Sequence, residues 1–372
     1  MAINLTTVEE NKEMVHTTTT TTVTAHSPTG EHPIVQIGNT NLVCKTKSIR
    51  INDDIGEVKV HIQGELDDKK AVFLTVHDIG FNHSSMKDFV NLDCFSEIRL
   101  RSVFIHVDVP GQHDDAEDLE NFPTIQQIGE EVLLKILDDL GVSLCVGIAD
   151  GAGANIMARF GLAHPHRVLG VVLINLVSSG VGFLESIKEK FFAKRRSSQQ
   201  LCPEEIVSMH KLGHSATDGL KYLVDSYKSH IQKINPKNLQ KFMTAYMNRK
   251  EILGLGKLDV LLVTGSRSPF CSGVEHIYAK CDKQKTSLLK VDNCVDVISQ
   301  CPEKIVHSLL LFVKGLGFLT SLHLPGVPHG GETPPNKANL AAIGRRRTLS
   351  MEEYDIPRMR RLSLTNQSTP PK

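Results

Sequence analysis

The stretch from 145 to 153 has the residue types of a catalytic turn. It runs Cys-Val-Gly-Ile-Ala-Asp-Gly-Ala-Gly and joins a predicted strand to a predicted helix. This is the context of the nucleophile elbow G-x-S-x-G, in which glycines permit a strained turn and close packing of helix on strand. Gly147 and Gly151 match its two glycines, Gly153 follows, and Ala149 is predicted at the nucleophile position. Alanine has no group that could attack a substrate.

The partners of such a nucleophile follow it in the order acid, then histidine. The turn after a late predicted strand has Ser268 where the acid is expected. The loop after the last predicted strand, residues 292–297, contains no histidine and has Val295 at the expected position. Since removal of one triad member costs orders of magnitude in rate, three such replacements predict a lost catalytic mechanism.

Four further polar or glycine residues lie where a pocket is expected: His77, Asp78 and Gly80 in a loop after a strand, and Asp150 beside the predicted elbow. The loop corresponds in position to an oxyanion loop. Asp150 is expected to point into the helix start, where the helix dipole favours an acid. The alternative is that Asp150 and His77 carry an unorthodox hydrolytic mechanism.

No cofactor or metal is expected. His210 and His214 have the i, i+4 spacing of a metal pair, but the glutamate of H-E-x-x-H is absent and Gly213 weakens the helix. The eight cysteines form no CxxC pair and several lie in apolar strands. They therefore indicate reduced thiols and a cytoplasmic protein.

Short apolar strands alternate with helical periods through the middle of the chain, which predicts an α/β fold with a doubly wound, mostly parallel sheet. Helical segments alone occupy about 180–252, which predicts an inserted helical cap. Residues 1–30, with six consecutive threonines, and 320–372, rich in proline, glycine and arginine, are expected to be disordered. The folded domain is then 31–319.

Charge and hydropathy exclude several classes of function. Lys+Arg and Asp+Glu are 42 each, whereas a dedicated nucleic-acid binder should be basic. No apolar run is long enough to cross a membrane, and the first residues do not form a signal peptide. The tail carries eight basic and four acidic residues, so weak contact with an anionic membrane stays open.

Two arginine-rich segments in the tail share one pattern. Ser350 and Ser363 each have arginines five and three residues upstream, and Thr348 lies in the first segment. A basophilic protein kinase binds such arginines through charge-assisted pairs. We therefore expect phosphorylation at Ser350 and Ser363, with Thr348 a weaker site.

Four motifs together resemble the N-myc downstream-regulated (NDRG) family over about residues 45–317. They are LTVHDIGFNHSS (74–85), HVDVPGQ (106–112), GIADGAGANIMARFGLAHPHRVLGVVLIN (147–175) and VTGSRSPF (263–270). The resemblance implies an α/β-hydrolase fold without hydrolase activity. It also implies a cytoplasmic protein that binds other proteins in stress response, differentiation, signalling or vesicle traffic, and a phosphorylated tail.

Three classes of function follow: a non-enzymatic adaptor, an unorthodox hydrolase, and a peripheral membrane protein whose old substrate cavity holds a lipid or small ligand. The missing triad favours the adaptor. The sequence names no partner protein.

Overall fold

The computed structural model describes residues 43–66, 70–178, 203–213 and 220–322. The predicted leader (1–30), almost all of the predicted tail, and with it Thr348, Ser350 and Ser363, lie outside these residues, as does His214.

Eight strands form one sheet in the order β1-β2-β4-β3-β5-β6-β7-β8. Only β2 runs against its neighbours, and every other pairing is parallel. The strands are β1 Cys44–Asn52, β2 Gly56–Gln63, β3 Ala71–Val76, β4 Ser102–Val107, β5 Cys145–Asp150, β6 Val168–Ile174, β7 Val260–Gly265 and β8 Thr286–Val291. The predicted doubly wound, mostly parallel sheet is confirmed.

Helices cover both faces of the sheet. They are α1 His83–Asn91, α2 Ser96–Leu100, α3 Ile125–Gln127, α4 Leu133–Asp139, α5 Gly151–Ala163, α6 Pro203–Leu212, α7 Lys221–Ile231, α8 Pro236–Met247, α9 Cys271–Lys280, α10 Val297–Gln300 and α11 Pro302–Gly315. A π-helical turn, Ile128–Val132, joins α3 to α4. None of the helices in the described ranges is long and apolar enough to span a membrane.

The central strands are buried on both sides, which explains their continuous apolar sequences. Every residue of β4, β5 and β7 is buried. The apolar side chains divide into two clusters, one containing Leu74 and Ile156 and the other containing Phe73 and Ile305. Because Phe73 and Leu74 are consecutive in β3, they point to opposite faces, and the core therefore has two layers.

The strand order brings two loops together at the carboxyl edge of the sheet. β3 pairs directly with β5, with Val76 opposite Ala149. The loop after β3 therefore lies beside the turn from β5 to α5. Open α/β sheets place their ligand sites at such an edge, where the chain connections diverge.

Within the predicted cap region, the described residues contain α6, α7 and α8 and no strand. Val207 of α6 packs on the loop after β3: a Cβ built on Gly80 would lie 2.6 Å from a Val207 methyl. Gly80 also has φ +80°, so this loop needs glycine for its backbone and for the contact.

Candidate functional site

The turn between β5 and α5 has its apex at Gly151. This residue has φ +54°, the left-handed backbone expected at a strained strand-to-helix elbow. The prediction that Ala149 occupies the nucleophile position is wrong, because Ala149 lies inside β5 and is fully buried. Gly151 takes that position, so the apex of the elbow carries no side chain.

Asp150 also differs from its predicted place. It ends β5 and precedes the apex, with extended backbone (φ −118°, ψ 141°), and its side chain makes no capping hydrogen bond to α5. Lys211 and Asn175 bind its carboxylate instead. The predicted stabilisation by the α5 dipole is therefore not what fixes this side chain.

The carboxylate of Asp78 lies above the apex of the elbow. Its Oδ1 accepts hydrogen bonds from the backbone N–H of Ile79 at 2.8 Å and of Ala152 at 2.7 Å. The residue after the nucleophile and the loop after β3 are the two sources of oxyanion-hole donors in this type of site. Asp78 thus occupies both donors with its own negative charge.

The same carboxylate fills the space a nucleophile would need. A Cβ built on Gly151 would lie 2.1 Å from Cγ of Asp78 and 2.2 and 2.3 Å from its two oxygens. Real Cβ atoms do not approach other atoms so closely. No side chain fits at the apex while Asp78 holds this position.

The other two glycines of the turn are required by close packing. A Cβ on Gly153 would lie 2.4 Å from the carbonyl oxygens of Val76 and His77, which are backbone atoms of the neighbouring strand end. A Cβ on Gly147 would meet Sδ of Met157 at 2.5 Å. Gly147 lies within β5, so its role is helix–strand packing rather than the turn itself.

Lys211 links α6 to this edge of the sheet through ion pairs. Its ammonium contacts Oδ2 of Asp78 at 2.8 Å and also donates to Oδ2 of Asp150. His210 lies 3.2 Å from Asp78 through Nε2. All four side chains are at least nine-tenths buried. One ammonium therefore lies between two buried carboxylates.

Burial and charge act against each other in this network. Burial opposes ionisation of Asp78, but Lys211 and His210 outweigh it and hold its pKa well below the usual range. For Asp150 burial dominates and raises the pKa to about 6, with the charge of Asp78 adding to the effect. Burial also opposes the charge on Lys211, but the carboxylates of Asp150 and Asp78 raise its pKa above the usual value.

Asn175 extends the network toward the predicted acid position. Its Nδ2 donates to Asp150 Oδ1 at 3.1 Å. Its Oδ1 accepts from Thr264 Oγ1 at 3.2 Å and from Ser268 Oγ at 3.4 Å. Ser268 is buried in the turn after β7, at the strand end where the acid was expected, and it meets an amide there.

Val295 lies in the loop after β8 with its side chain in the core, and its N–H donates to Oε1 of Gln300 at 2.8 Å. The next residue, Asp296, accepts from the hydroxyl of Tyr227 at 2.8 Å. Asp296 is close enough to Asp150 for its charge to raise that residue's pKa further. The loop that was expected to supply the histidine thus supplies a carboxylate, Asp296, which binds a tyrosine of α7.

His77 has both ring nitrogens occupied by the backbone. Nδ1–H donates to the carbonyl of Asp78 at 2.8 Å, and Nε2 accepts from the N–H of Val109 at 3.0 Å. These bonds require the neutral tautomer protonated on Nδ1. Burial lowers the pKa of His77. Neither nitrogen is free to take a proton from a substrate.

A pH prediction follows from His77. Its pKa is lowered in the folded state, whereas the unfolded chain takes up this proton below about pH 6.5. Stability from His77 is therefore complete above pH 6.5 and is lost as the pH falls, by up to about 1.4 kcal/mol per pH unit. Urea unfolding between pH 7.5 and 5 should show a smaller pH dependence of the free energy of unfolding for His77→Gln than for wild type.

The control is His276→Gln, at an exposed site in α9, which should leave this slope unchanged. Equal slopes for wild type and His77→Gln would contradict the assignment.

The predicted pocket residues do come together: His77, Asp78, Gly80 and Asp150 all lie at this edge, but all are buried. A cavity of about 880 Å³ opens elsewhere, between residues 120–126 and α8. Its lining includes Phe122, Ile125, Lys237, Lys241 and Arg249 and none of the elbow residues.

Comparisons with known proteins agree with this architecture. A model described as the Ndr family matches residues 48–320. The chain is 35% identical over 328 residues to the Caenorhabditis elegans protein ZK1073.1, covering 85% of this chain and 94% of that protein. It is 32% identical over 318 residues to Protein NDRG3 of Xenopus tropicalis, covering 81% and 80%. MGS-M2, an α/β hydrolase enzyme from a deep-sea metagenome library, matches with a TM-score of 0.59 at 16% identity, covering 72% of this chain and 97% of that one. The last match establishes the α/β-hydrolase fold alone.

Proposed function

We propose that this chain, which belongs to the Ndr family, acts in the cytoplasm by binding other proteins and catalyses no hydrolysis at its elbow. The observation that carries the proposal is the carboxylate of Asp78, bound by the N–H groups of Ile79 and Ala152 above a glycine apex. A hydrolase uses this place to stabilise a negatively charged transition state. An anion already fixed there repels that charge.

The neighbouring positions support the same proposal. Asp150, the candidate for an unorthodox nucleophile, is paired with Lys211 and bound by Asn175. His77, its candidate base, has both nitrogens bound by backbone. The resemblance to the NDRG family implies action in stress response, differentiation, signalling or vesicle traffic through protein partners.

The test is a hydrolysis screen of the purified full chain. We expect no turnover above background with p-nitrophenyl esters of two to twelve carbons, an anilide or an epoxide, and the same result for Asp150→Asn. Turnover in wild type that Asp150→Asn abolishes would contradict the proposal and favour the unorthodox hydrolase. Proximity labelling in cells then identifies the partner proteins. Sedimentation with anionic liposomes, with and without residues 320–372, tests the membrane alternative.

We further propose that a basophilic kinase regulates the tail at Ser350 and Ser363, with Thr348 weaker. Each phosphate adds about −1.5 to −2 charge, so two of them cancel the tail's excess of eight basic over four acidic residues. Phosphopeptide mapping from cells should place phosphate at these residues. The paired changes Arg345→Ala/Arg347→Ala and Arg358→Ala/Arg360→Ala should remove it, and Lys337→Ala, in the same tail, should not. Phosphate that persists without the arginines contradicts this regulation.

A further inference from the structure

A cluster of two histidines and a carboxylate lies beside the loop after β3. His61 is in β2, His83 is the first residue of α1, and Asp108 directly follows β4. Their nitrogen and oxygen atoms all lie within 4.8 Å of one another. Three separate elements thus converge on one point at the carboxyl edge of the sheet.

We propose that His61, His83 and Asp108 form a binding site for a divalent transition-metal ion, with zinc the ion best suited to these ligands. Imidazole nitrogen and carboxylate oxygen are ordinary zinc ligands, and two histidines with one carboxylate form a recurring set that leaves coordination positions for water.

The separations are close to those a metal requires. Nε2 of His61 is 2.9 Å from Oδ2 of Asp108, and Nδ1 of His83 is 3.1 Å from both carboxylate oxygens. A tetrahedral ion with bonds of about 2.0–2.1 Å places neighbouring ligand atoms about 3.3 Å apart. The two histidine–carboxylate separations are therefore within a few tenths of an ångström of the metal-bound value.

Both imidazoles present a nitrogen to the same carboxylate. Their rings stack in parallel, with centroids 3.3 Å apart and planes 12° from each other. Because a nitrogen lone pair lies in the plane of its ring, a shared ion requires one ring to turn, and His83 is the more exposed of the two. Asp108 already receives the backbone N–H of His83 at 2.6 Å, which fixes its orientation.

Thr46 supplies the outer contact that metal-bound histidines usually have. Its hydroxyl lies 2.9 Å from Nδ1 of His61. Without metal, Nε2–H of His61 donates to Asp108 and the threonine hydroxyl donates to Nδ1. When the metal takes the Nε2 lone pair, the ring proton moves to Nδ1 and the same hydroxyl accepts it. No net proton is lost from His61, and the contact persists.

The site is reachable from solvent. The side chain of Asp108 is 1% exposed, whereas those of His61 and His83 are 10% and 15% exposed. An ion would enter past the histidines and meet the buried carboxylate last. Once bound, it would tie β2, α1 and the end of β4 together.

The experiment compares metal binding by full-length variants stripped with a chelator. The probe is ZnCl₂, titrated calorimetrically, with Co²⁺ absorption between 500 and 650 nm as a readout of the ligand set. Because the chain has 17 histidines, His276→Gln is the matched control for background binding. We expect wild type and His276→Gln to bind one more zinc equivalent than His83→Gln or Asp108→Asn. Zinc should raise the melting temperature of the first pair by several degrees more than that of the second.

Thr46→Val tests the outer contact, since it keeps the side-chain shape and removes the hydroxyl. It should weaken zinc binding about 10-fold. Circular dichroism of each metal-free variant checks that it is folded, and His83→Gln, at the most exposed ligand, keeps the test decisive if Asp108→Asn does not fold. Equal stoichiometry and affinity in wild type, His276→Gln and His83→Gln would overturn the proposal and leave the cluster a hydrogen-bonded clamp.

Discussion

Replacement of Lys211 by methionine is expected to lower the free energy of unfolding by about 3–5 kcal/mol, the range for removing one partner of a buried ion pair. Methionine keeps the apolar length of the side chain and removes the ammonium. The carboxylates of Asp78 and Asp150 then remain buried beside each other without their shared cation. Urea unfolding followed by circular dichroism measures the change, since the chain has no tryptophan for fluorescence.

The control is Lys285→Met. Lys285 pairs with Asp259 at 3.1 Å, but their side chains are 44% and 32% exposed. Exposed pairs contribute no more than about 1 kcal/mol. A Lys211→Met loss no larger than that of the control would show that the Lys211 network does not hold α6 to the sheet. Neutralising the carboxylates as well, in Asp78→Asn/Asp150→Asn/Lys211→Met, should recover part of the loss because no buried charge is left unpaired.

The sheet could be predicted from the sequence, whereas the exact position of the elbow could not. Strands that are apolar on both faces and separated by helical periods were sufficient to predict the sheet and its two covering layers, because burial on both faces requires that composition. The glycine-rich turn was found, but its register was wrong by two residues. Gly147 and Gly151 fit the G-x-x-x-G spacing, whereas the small residues that flank the apex Gly151 are Ala149 and Gly153. The strained φ, which identifies the apex, is not visible in the sequence.

Contacts between segments distant in the chain could not be predicted from the sequence. Lys211 follows Asp150 by 61 residues and lies in a segment whose own pattern indicates only a helix. The cluster of His61, His83 and Asp108 gave no signal either, because its members lie on three elements and share no spacing motif. No metal site was expected because the sequence contains no complete set of ligands at a metal-binding spacing. The sequence indicated that His77 and Asp78 lie in the loop after β3. It did not indicate that the carboxylate of Asp78 accepts hydrogen bonds from both oxyanion-hole N–H groups.

The occupancy of the elbow by Asp78 can be measured with a double-mutant cycle. Gly151→Ala is expected to cost about 3 kcal/mol in wild type, because φ +54° is strained for alanine and its Cβ meets the carboxylate of Asp78. Gly151→Val should cost more. In an Asp78→Ala background the clash with the carboxylate is absent, so only the backbone strain contributes to the cost of Gly151→Ala. We expect Gly151→Ala to cost at least about 1 kcal/mol less there, a coupling within the range for residues in contact.

Gly147→Ala is the matched control for this cycle. Its Cβ would meet the side chain of Met157 and not Asp78, so its cost should be the same in both backgrounds. A Gly151→Ala cost unchanged by Asp78→Ala would mean that the carboxylate does not hold the space above the apex. The main support for a non-hydrolytic elbow would then be lost, even if no substrate is turned over. Coupling at Gly151 without coupling at Gly147 would place the carboxylate at the apex of the elbow, between the two oxyanion donors.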